Sequence, residues 1–172
     1  DERLAGYHEA LSNAGIQEDP ALIIQGFYNI ESGVEAADRF ISRFSPKKMP
    51  SAVFCANDAS ACGFVGGLRA RGIRVPEDVS VIGFDDQPLA HLPVLDLTTV
   101  RQPLKSMAIY SVARLIEQID TLAGEGGRPR DFVMINNLSN YYADIEGLRV
   151  DHETITFLPR LIVRKTTLPH VS

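Results

Sequence analysis

An α/β fold with a parallel sheet is predicted by two features of this 172-residue sequence. Short apolar runs alternate with helical patterns three times before residue 86, which is typical of β-α-β units. The clearest unit spans residues 50–86, where apolar runs at 52–56 and 79–82 flank a helical pattern at 59–71. Parallel strands joined by a right-handed crossover end at the same edge of the sheet, and ligands bind at that edge in open α/β sheets. The sequence therefore indicates where a binding site should lie.

The chain begins with a helical pattern over residues 1–14, which Gly15 ends. Residues 21–24 form an apolar run and are predicted to be the next strand, and an amphipathic helix is expected to follow as far as Phe44. In parallel α/β units a helix normally follows a strand. A chain that begins with a helix therefore predicts either a removed N-terminus or a circularly arranged fold.

The central unit supplies its own start and stop signals. Residues 52–56 have the length and composition of a strand that is buried on both faces. Asn57 and Asp58 follow this strand and offer a side-chain cap for the next helix, which Gly72 is expected to end.

After residue 86 the regular alternation ends. Residues 87–96 indicate an irregular loop that contains proline, and residues 104–122 a long amphipathic helix. Pro159 interrupts a predicted strand at 154–163, which suits a position at the sheet edge. The remaining expectations are a short strand at 98–100, a flexible break at 124–129 and a strand at 132–135.

Composition and charge argue against several classes of function. Hydrophobic residues make up 45% of the chain, which predicts a sizeable core. The net charge of −5 argues against a chain that binds nucleic acid by itself. No apolar run has transmembrane length, and no signal peptide is visible. Cys55 and Cys62 match no standard zinc or redox spacing and are predicted to be reduced core thiols. With four scattered histidines, neither a metal nor a cofactor is expected.

Three polar or aromatic residues follow the predicted strands at the sheet edge: Tyr28, Asn57 and Asp85. An aromatic face beside amide and carboxylate groups is the chemistry of a carbohydrate or small polar ligand site. Each residue also has a structural interpretation: Asn57 as a helix cap, Tyr28 as a half-buried surface residue and Asp85 as a turn former. Asp85 and Asp86 could also form a catalytic or Mg²⁺-binding pair, but no phosphate loop or nucleophile motif accompanies them.

Five motifs in the chain resemble the effector-binding core of the lactose/galactose-repressor (LacI/GalR) family of bacterial transcription regulators. They occur in family order and span nearly the whole chain. The motifs are RLAGYHEAL at 3–11, FCANDASACG at 54–63, RGIRVPEDVSVIGFDD at 71–86, LTTVRQPL at 97–104 and PRLIVRKTT at 159–167.

The resemblance implies a periplasmic-binding-protein-like (type I) fold of two α/β lobes, with the effector bound between them. Residues 1–97 would form the second lobe, 98–158 the crossover with the last helix and strand of the first lobe, and 159–172 the return to the second lobe. The helix-turn-helix headpiece, the hinge, most of the first lobe and the opening strand of the second would then be absent from this chain. The segment 126–153 is longer than the family's usual link.

The resemblance also implies the site residues. Arg3 would donate charge-assisted hydrogen bonds to effector oxygens, Tyr28 would stack on the ligand ring, and Asn57 and Asp85 would hydrogen-bond it. Gln102 would sit in the crossover between the lobes, and Leu104 would touch the ligand.

A homodimer interface is implied for the helix at 59–68 and the loop at 87–94. Its small and apolar residues suit such a contact. The residues assigned to it are Ala61, Val65, Leu89, Leu92 and Val94.

The sequence therefore predicts a cytoplasmic, dimeric, ligand-responsive transcription regulator without enzymatic activity, present as its sensor portion. Operator DNA would be read by the absent headpiece. The main alternative is a periplasmic binding protein that delivers sugar to an ABC transporter, which shares the fold. An enzyme that uses Asp85 and Asp86 is a third possibility.

Overall fold

The computed structural model describes residues 2–123, 148–150 and 155–169. The chain divides into two units. The first unit comprises Asp1–Arg101 and Leu161–Ser172, and the second unit comprises Gln102–Arg160. Each unit is described separately below.

A parallel sheet forms the centre of the first unit. The strands β1 (Ala52–Phe54), β2 (Ser80–Asp85) and β3 (Thr98–Arg101) lie side by side, and β6 (Arg160–Ile162) follows β3 at the far end of the sheet. The pairs β1–β2 and β2–β3 are both parallel, with Val53 opposite Val81 and Ile82 opposite Thr98. The predicted β-α-β unit is therefore confirmed, and the carboxyl ends of β1 and β2 share one edge.

The helices of this unit begin and end near the predicted residues. They are α1 (Glu2–Asn13), α2 (Ile30–Arg43) and α3 (Asp58–Ala70). The side chain of Asn57 caps α3, as the sequence predicts, because its Oδ1 accepts a hydrogen bond from the backbone N–H of Ser60 at 2.9 Å. Gly15 and Gly72 follow α1 and α3 with φ values of 65° and 78°, a left-handed conformation that glycine adopts without steric cost.

The prediction of a strand at residues 21–24 is wrong. Pro20–Leu22 forms one turn of 3-10 helix, and residues 23–27 belong to no strand. Side chains form hydrogen bonds with the backbone groups that would pair with a neighbouring strand. Asp19 Oδ1 accepts from the N–H of Ala21. Arg43 Nη1 donates to the carbonyl oxygens of Ala21 and Ile23 at 2.7 and 3.2 Å. Side-chain partners, one local and one about twenty residues away, therefore replace the sheet ladder here.

The expectation that the first strand of the central unit is buried on both faces is also wrong. β1 is three residues long and lies at one end of the strand order. Its last residue, Phe54, is 46% exposed. An apolar run alone does not distinguish a central strand from an edge strand, because the distinction depends on which other strands pair with it.

Glycines allow α2 and α3 to pack with their backbones in close contact. A Cβ atom on Gly63 would collide with the carbonyl oxygen of Ile30, and one on Gly33 with the carbonyl oxygen of Ser60. On Gly67 it would lie 2.6 Å from the Cβ of Ala37. The helical patterns in the sequence include these glycines, but no local pattern predicts that they form the contact between α2 and α3.

The core of the first unit lies between these helices and the sheet. The Phe40 ring contacts the rings of Phe44 and Phe64 edge-on, at centroid distances of 5.3 and 5.5 Å. Most remaining core residues are aliphatic and come from α3, β2 and the segments that precede β2 and β3: Val65, Leu68, Val75, Val79, Val81 and Leu97. Their burial is the main favourable contribution to the stability of this unit.

The second unit contains the predicted long helix, α4 (Leu104–Ala123), and an antiparallel pair, β4 (Leu148–Val150) and β5 (Ile155–Phe157). The Tyr110 ring on α4 contacts the Phe157 ring on β5 at 6.0 Å. The prediction of one strand at 154–163 is wrong: this segment forms two strands, β5 and β6, which lie on either side of Pro159 and belong to different sheets. The predicted break at 124–129 and strand at 132–135 lie outside the described residues.

Among the described residues, no helix has both the length and the apolar composition that crossing a bilayer requires.

Alanine substitution on α3 tests the glycine contact. Gly63→Ala forces a methyl group into the backbone of α2, so we expect the free energy of unfolding to fall by about 1–3 kcal/mol in urea titrations. Gly66→Ala is the matched control on the same helix, because its Cβ would meet no atom within 4 Å. This control should be neutral or stabilised by up to about 1 kcal/mol through helix propensity. Equal effects of the two substitutions would contradict the packing.

Candidate functional site

The candidate site lies at the carboxyl edge of the sheet, where β1 and β2 end. Asn57 follows β1 and Asp85 ends β2, so the parallel pairing brings both to the same edge. Arg3 lies on α1 and Tyr28 lies just before α2, and both residues reach this edge.

Arg3 is the centre of the cluster. Its Nη2 lies 3.7 Å from Asp85 Oδ1, and its guanidinium carbon lies 4.7 Å from the centroid of the Phe84 ring and 5.9 Å from that of Tyr28. The predicted residues Arg3, Tyr28 and Asp85 are therefore brought together. The sequence analysis missed Phe84, although an aromatic residue directly before the strand-end acid was a visible signal.

Asn57 serves the structure and the site at once. In addition to capping α3, its Nδ2 donates to the carbonyl oxygen of Tyr28 at 2.9 Å. Tyr28 has a φ of 60°, an uncommon conformation for a residue with a side chain, and the Asn57 hydrogen bond helps to hold it. The cap interpretation is confirmed. The direct contact of Asn57 with an effector stays a prediction, and only 9% of the residue is exposed.

Asp85 and Asp86 have separate surroundings. Asp86 Oδ1 accepts from Arg164 Nη2 at 2.6 Å, its Oδ2 accepts from Arg101 Nε at 2.5 Å, and His91 Nε2 lies 3.2 Å from Oδ1. Its side chain is only 4% exposed. Because both Asp86 oxygens are held by arginines, the structure does not favour the alternative of a joint acidic pair for catalysis or Mg²⁺.

The charge of Asp86 is stabilised by these partners. Burial alone would raise the pKa of Asp86, but the hydrogen bonds from Arg164 and Arg101 outweigh burial and hold the pKa below its ordinary value. Asp86 is therefore an ionised structural group that holds together the ends of β2 and β3 and the segment after β6.

Asp58 is a buried acid that the sequence analysis considered only as a cap. Its Oδ1 accepts from the Thr99 hydroxyl at 2.5 Å, and its Oδ2 accepts from the N–H of Gln87 at 2.7 Å. Burial raises the pKa of Asp58, the two hydrogen bonds partly offset that rise, and the charges of Asp85 and Asp86 add to it. No hydrophobic or helical pattern marks such a residue in advance.

A cavity of about 310 Å³ lies in the first unit beside the candidate site. Most of its lining is apolar, and it includes residues 22–26, residues 52–56 and the aromatic rings of Tyr7, Phe40, Phe44 and Phe64. Arg3 and Tyr28 contribute to the lining, whereas Asn57 and Asp85 do not. The cavity therefore adjoins the candidate site through Arg3 and Tyr28.

Two predicted effector contacts belong to the second unit. Gln102 precedes α4, and Leu104 is its first residue and is 57% exposed. Their roles toward an effector stay predictions.

Not all of the residues predicted to form the dimer contact are exposed. Ala61 and Val65 are 0% and 1% exposed, so their side chains fill the core of the first unit and are not available to a partner. Leu89 packs partly against the same core. Leu92 and Val94 are 49% and 77% exposed and remain available for the predicted contact.

Within the described ranges, no three His, Cys, Asp or Glu side chains come together as ligands for a metal ion. Cys55 and Cys62 are both free, and burial raises the pKa of the Cys55 thiol to about 12.

An open parallel sheet with polar groups at its carboxyl edge defines a ligand-binding α/β domain. Residues 1–139 match the model of the periplasmic binding protein-like domain family. The chain belongs to this family.

Individual relatives agree with this assignment. The chain is 34% identical over 167 residues to the HTH-type transcriptional regulator DegA of Bacillus subtilis (strain 168), covering 97% of this chain and 41% of that protein. It is 42% identical over 118 residues to the HTH-type transcriptional repressor PurR of Vibrio atlanticus (strain LGP32), covering 69% of this chain and 34% of that protein. The chain thus spans less than half the length of these relatives.

A solved structure supports the fold. A sugar-binding transcriptional regulator of the LacI family from Escherichia coli, complexed with phosphate, superposes with a TM-score of 0.71 at 32% identity. The superposition covers 97% of this chain and 49% of the other. These relatives are transcriptional regulators, which favours the regulator over the alternative of a transporter-associated binding protein.

Removal of the Asp86 charge should change stability in a pH-dependent way. Because the folded-state pKa of Asp86 is lowered, its stabilisation is fully present above the unfolded-state value of about 3.9 and is lost as the pH falls through the folded-state pKa. Asp86→Asn should therefore have a lower free energy of unfolding than wild type at pH 7, and the difference should shrink toward pH 2. Urea titrations at several pH values measure this. A difference that stays constant with pH would contradict the ionic role.

Proposed function

We propose that this chain is the effector-binding and dimerisation portion of a LacI-type DNA-binding transcriptional regulator, and that its effector is a small polar ligand such as a sugar. The observation that carries the proposal is the convergence of Arg3, Tyr28 and Asp85 at the carboxyl edge of the sheet. This edge is where open α/β sheets bind their ligands.

The groups at this edge suit a ring that carries hydroxyl groups. The Arg3 guanidinium donates hydrogen bonds in a planar fork, and the Asp85 carboxylate accepts them from two neighbouring hydroxyls. The Tyr28 ring is 45% exposed and offers an apolar face on which a sugar ring could stack. Asn57 holds the backbone of Tyr28 and would add a polar contact of its own.

In this proposal residues 1–97 and 159–172 belong to one lobe, and residues 98–158 belong to the crossover and the other lobe. Gln102 and Leu104 would contact the effector from the crossover. Effector binding would shift the equilibrium between two arrangements of the lobes, and so the spacing of two helix-turn-helix headpieces on operator DNA.

The same proposal places the regulator in the cytoplasm and gives it no enzymatic activity. The relatives are regulators, and the engagement of Asp86 by Arg101 and Arg164 supports this view, since it argues against a joint acid pair of Asp85 and Asp86.

A screen of small molecules tests the function. The intact regulator should show a raised melting temperature with a compound from a panel of D-galactose, cellobiose, sucrose, hypoxanthine and guanine, because a ligand that binds only the folded state stabilises it. Asp85→Asn should then lower the affinity for that compound roughly tenfold or more in calorimetry, since one acceptor becomes a donor in a desolvated site.

The neighbouring substitution Asp86→Asn is unsuitable as a control for binding, because Asp86 is a structural group held by Arg101 and Arg164. Asp38→Asn is the better match: its carboxylate pairs with Arg71, and its side chain is 50% exposed. Asp38→Asn should bind as wild type does. Equal affinities for wild type and Asp85→Asn would remove Asp85 from the site.

The dimer is tested on the part of the surface that is exposed. Val94→Asp places a charge at the most exposed apolar residue of this surface and should convert a dimer into monomers in sedimentation experiments. Ile16→Asp, at a residue that is 57% exposed outside this surface, is the control and should leave the dimer intact. An unchanged dimer in Val94→Asp would place the interface elsewhere.

A further inference from the structure

The side chain of Arg3 is bordered by two aromatic rings, that of Phe84 on β2 and that of Tyr28 before α2. Phe84 is half-buried on β2, one residue before Asp85, and its ring centroid lies 4.7 Å from the Arg3 guanidinium carbon. This distance is shorter than the 5.9 Å to the Tyr28 ring, and it lies well within the range in which a cation is attracted to the face of a ring.

The Phe84 ring is itself held in place. Phe54 pairs with Ile82 in the β1–β2 register, and Phe84 lies two residues beyond Ile82, so Phe54 and Phe84 project from the same face of the sheet. Their rings meet edge to face, with centroids 6.4 Å apart and an angle of 88° between the planes. The ring that contacts Arg3 is therefore supported by a neighbouring strand.

The Arg3 guanidinium has a second neighbour at this edge, because its Nη2 lies 3.7 Å from Asp85 Oδ1. A guanidinium presents its five N–H donors in a rigid fork, so its orientation decides which oxygen atoms it can reach. A long arginine side chain has many rotamers, and fixing one before binding reduces the entropy that binding costs.

We propose that Phe84 is a positioning residue of the candidate site: its ring holds the Arg3 guanidinium beside Asp85, at the edge of the sheet where a ligand would bind. This inference rests on the proposed function for its ligand, but the contact itself does not depend on one. It assigns a role to a residue that neither the motif-based site nor the cavity lining includes.

The first experiment uses no ligand and so separates this inference from the proposed function. In NMR spectra of the intact regulator, the ring current of Phe84 should shift the Arg3 Hε resonance upfield. Phe84→Leu keeps an apolar side chain but removes the ring, and should return this resonance toward its random-coil position. Phe84→Tyr keeps the ring and should retain the upfield shift.

The second experiment uses as its probe the compound of the five-member panel that raises the melting temperature most. Loss of a cation–π contact should weaken binding of that probe roughly two- to thirtyfold in Phe84→Leu, while Phe84→Tyr binds nearly as wild type does. Melting temperatures measured without the probe check that both variants are folded.

Two outcomes would overturn the inference. One is an Arg3 Hε resonance that does not change in Phe84→Leu. The other is an equal loss of affinity in Phe84→Leu and Phe84→Tyr, which would show that the residue fills space and that its ring face has no role. If no panel compound binds, the proposed function fails its own test, and the Arg3 resonance still decides the role of Phe84.

Discussion

The first unit depends on one buried carboxylate, that of Asp58. It accepts hydrogen bonds from Thr99 on β3 and from the backbone N–H of Gln87 after β2, and it is itself the first residue of α3. Gly83 makes this possible, since a Cβ there would meet Asp58 Oδ1. Burying a charge is costly unless it is hydrogen-bonded, so the loop, the strand and the helix must all be in place together.

This arrangement explains why neighbouring residues at the sheet edge have different roles. Asn57 and Asp58 are adjacent, yet the amide holds Tyr28 while the acid holds β3. Asp85 and Asp86 are also adjacent, and φ values of 106° and 56° turn the chain sharply there. One carboxylate then lies beside Arg3 and the other beside Arg101 and Arg164. The groups that we propose to bind the ligand are thus adjacent in sequence to groups that hold the fold.

Local patterns predicted the elements whose signals are contained in their own residues. The capped helix α3, the parallel β1–β2 pair and the long helix α4 were predicted because periodicity, caps and apolar runs encode them. The strand expected at 21–24 failed because Arg43, some twenty residues away, takes its carbonyl groups. Asp58 and Phe84 were missed for a similar reason. Their roles come from contacts with Thr99 and Arg3, which only the folded chain brings near.

The ion cluster around Asp86 also determines how the chain passes into and out of the first unit. Arg101 is the last residue of this unit before the chain leaves it, and Arg164 lies three residues beyond Leu161, where the chain returns. Both arginines bind the same carboxylate, and that carboxylate adjoins Asp85. The outgoing and returning segments are therefore attached to the same carboxylate, so neither can be displaced there without pulling on the residue next to Asp85.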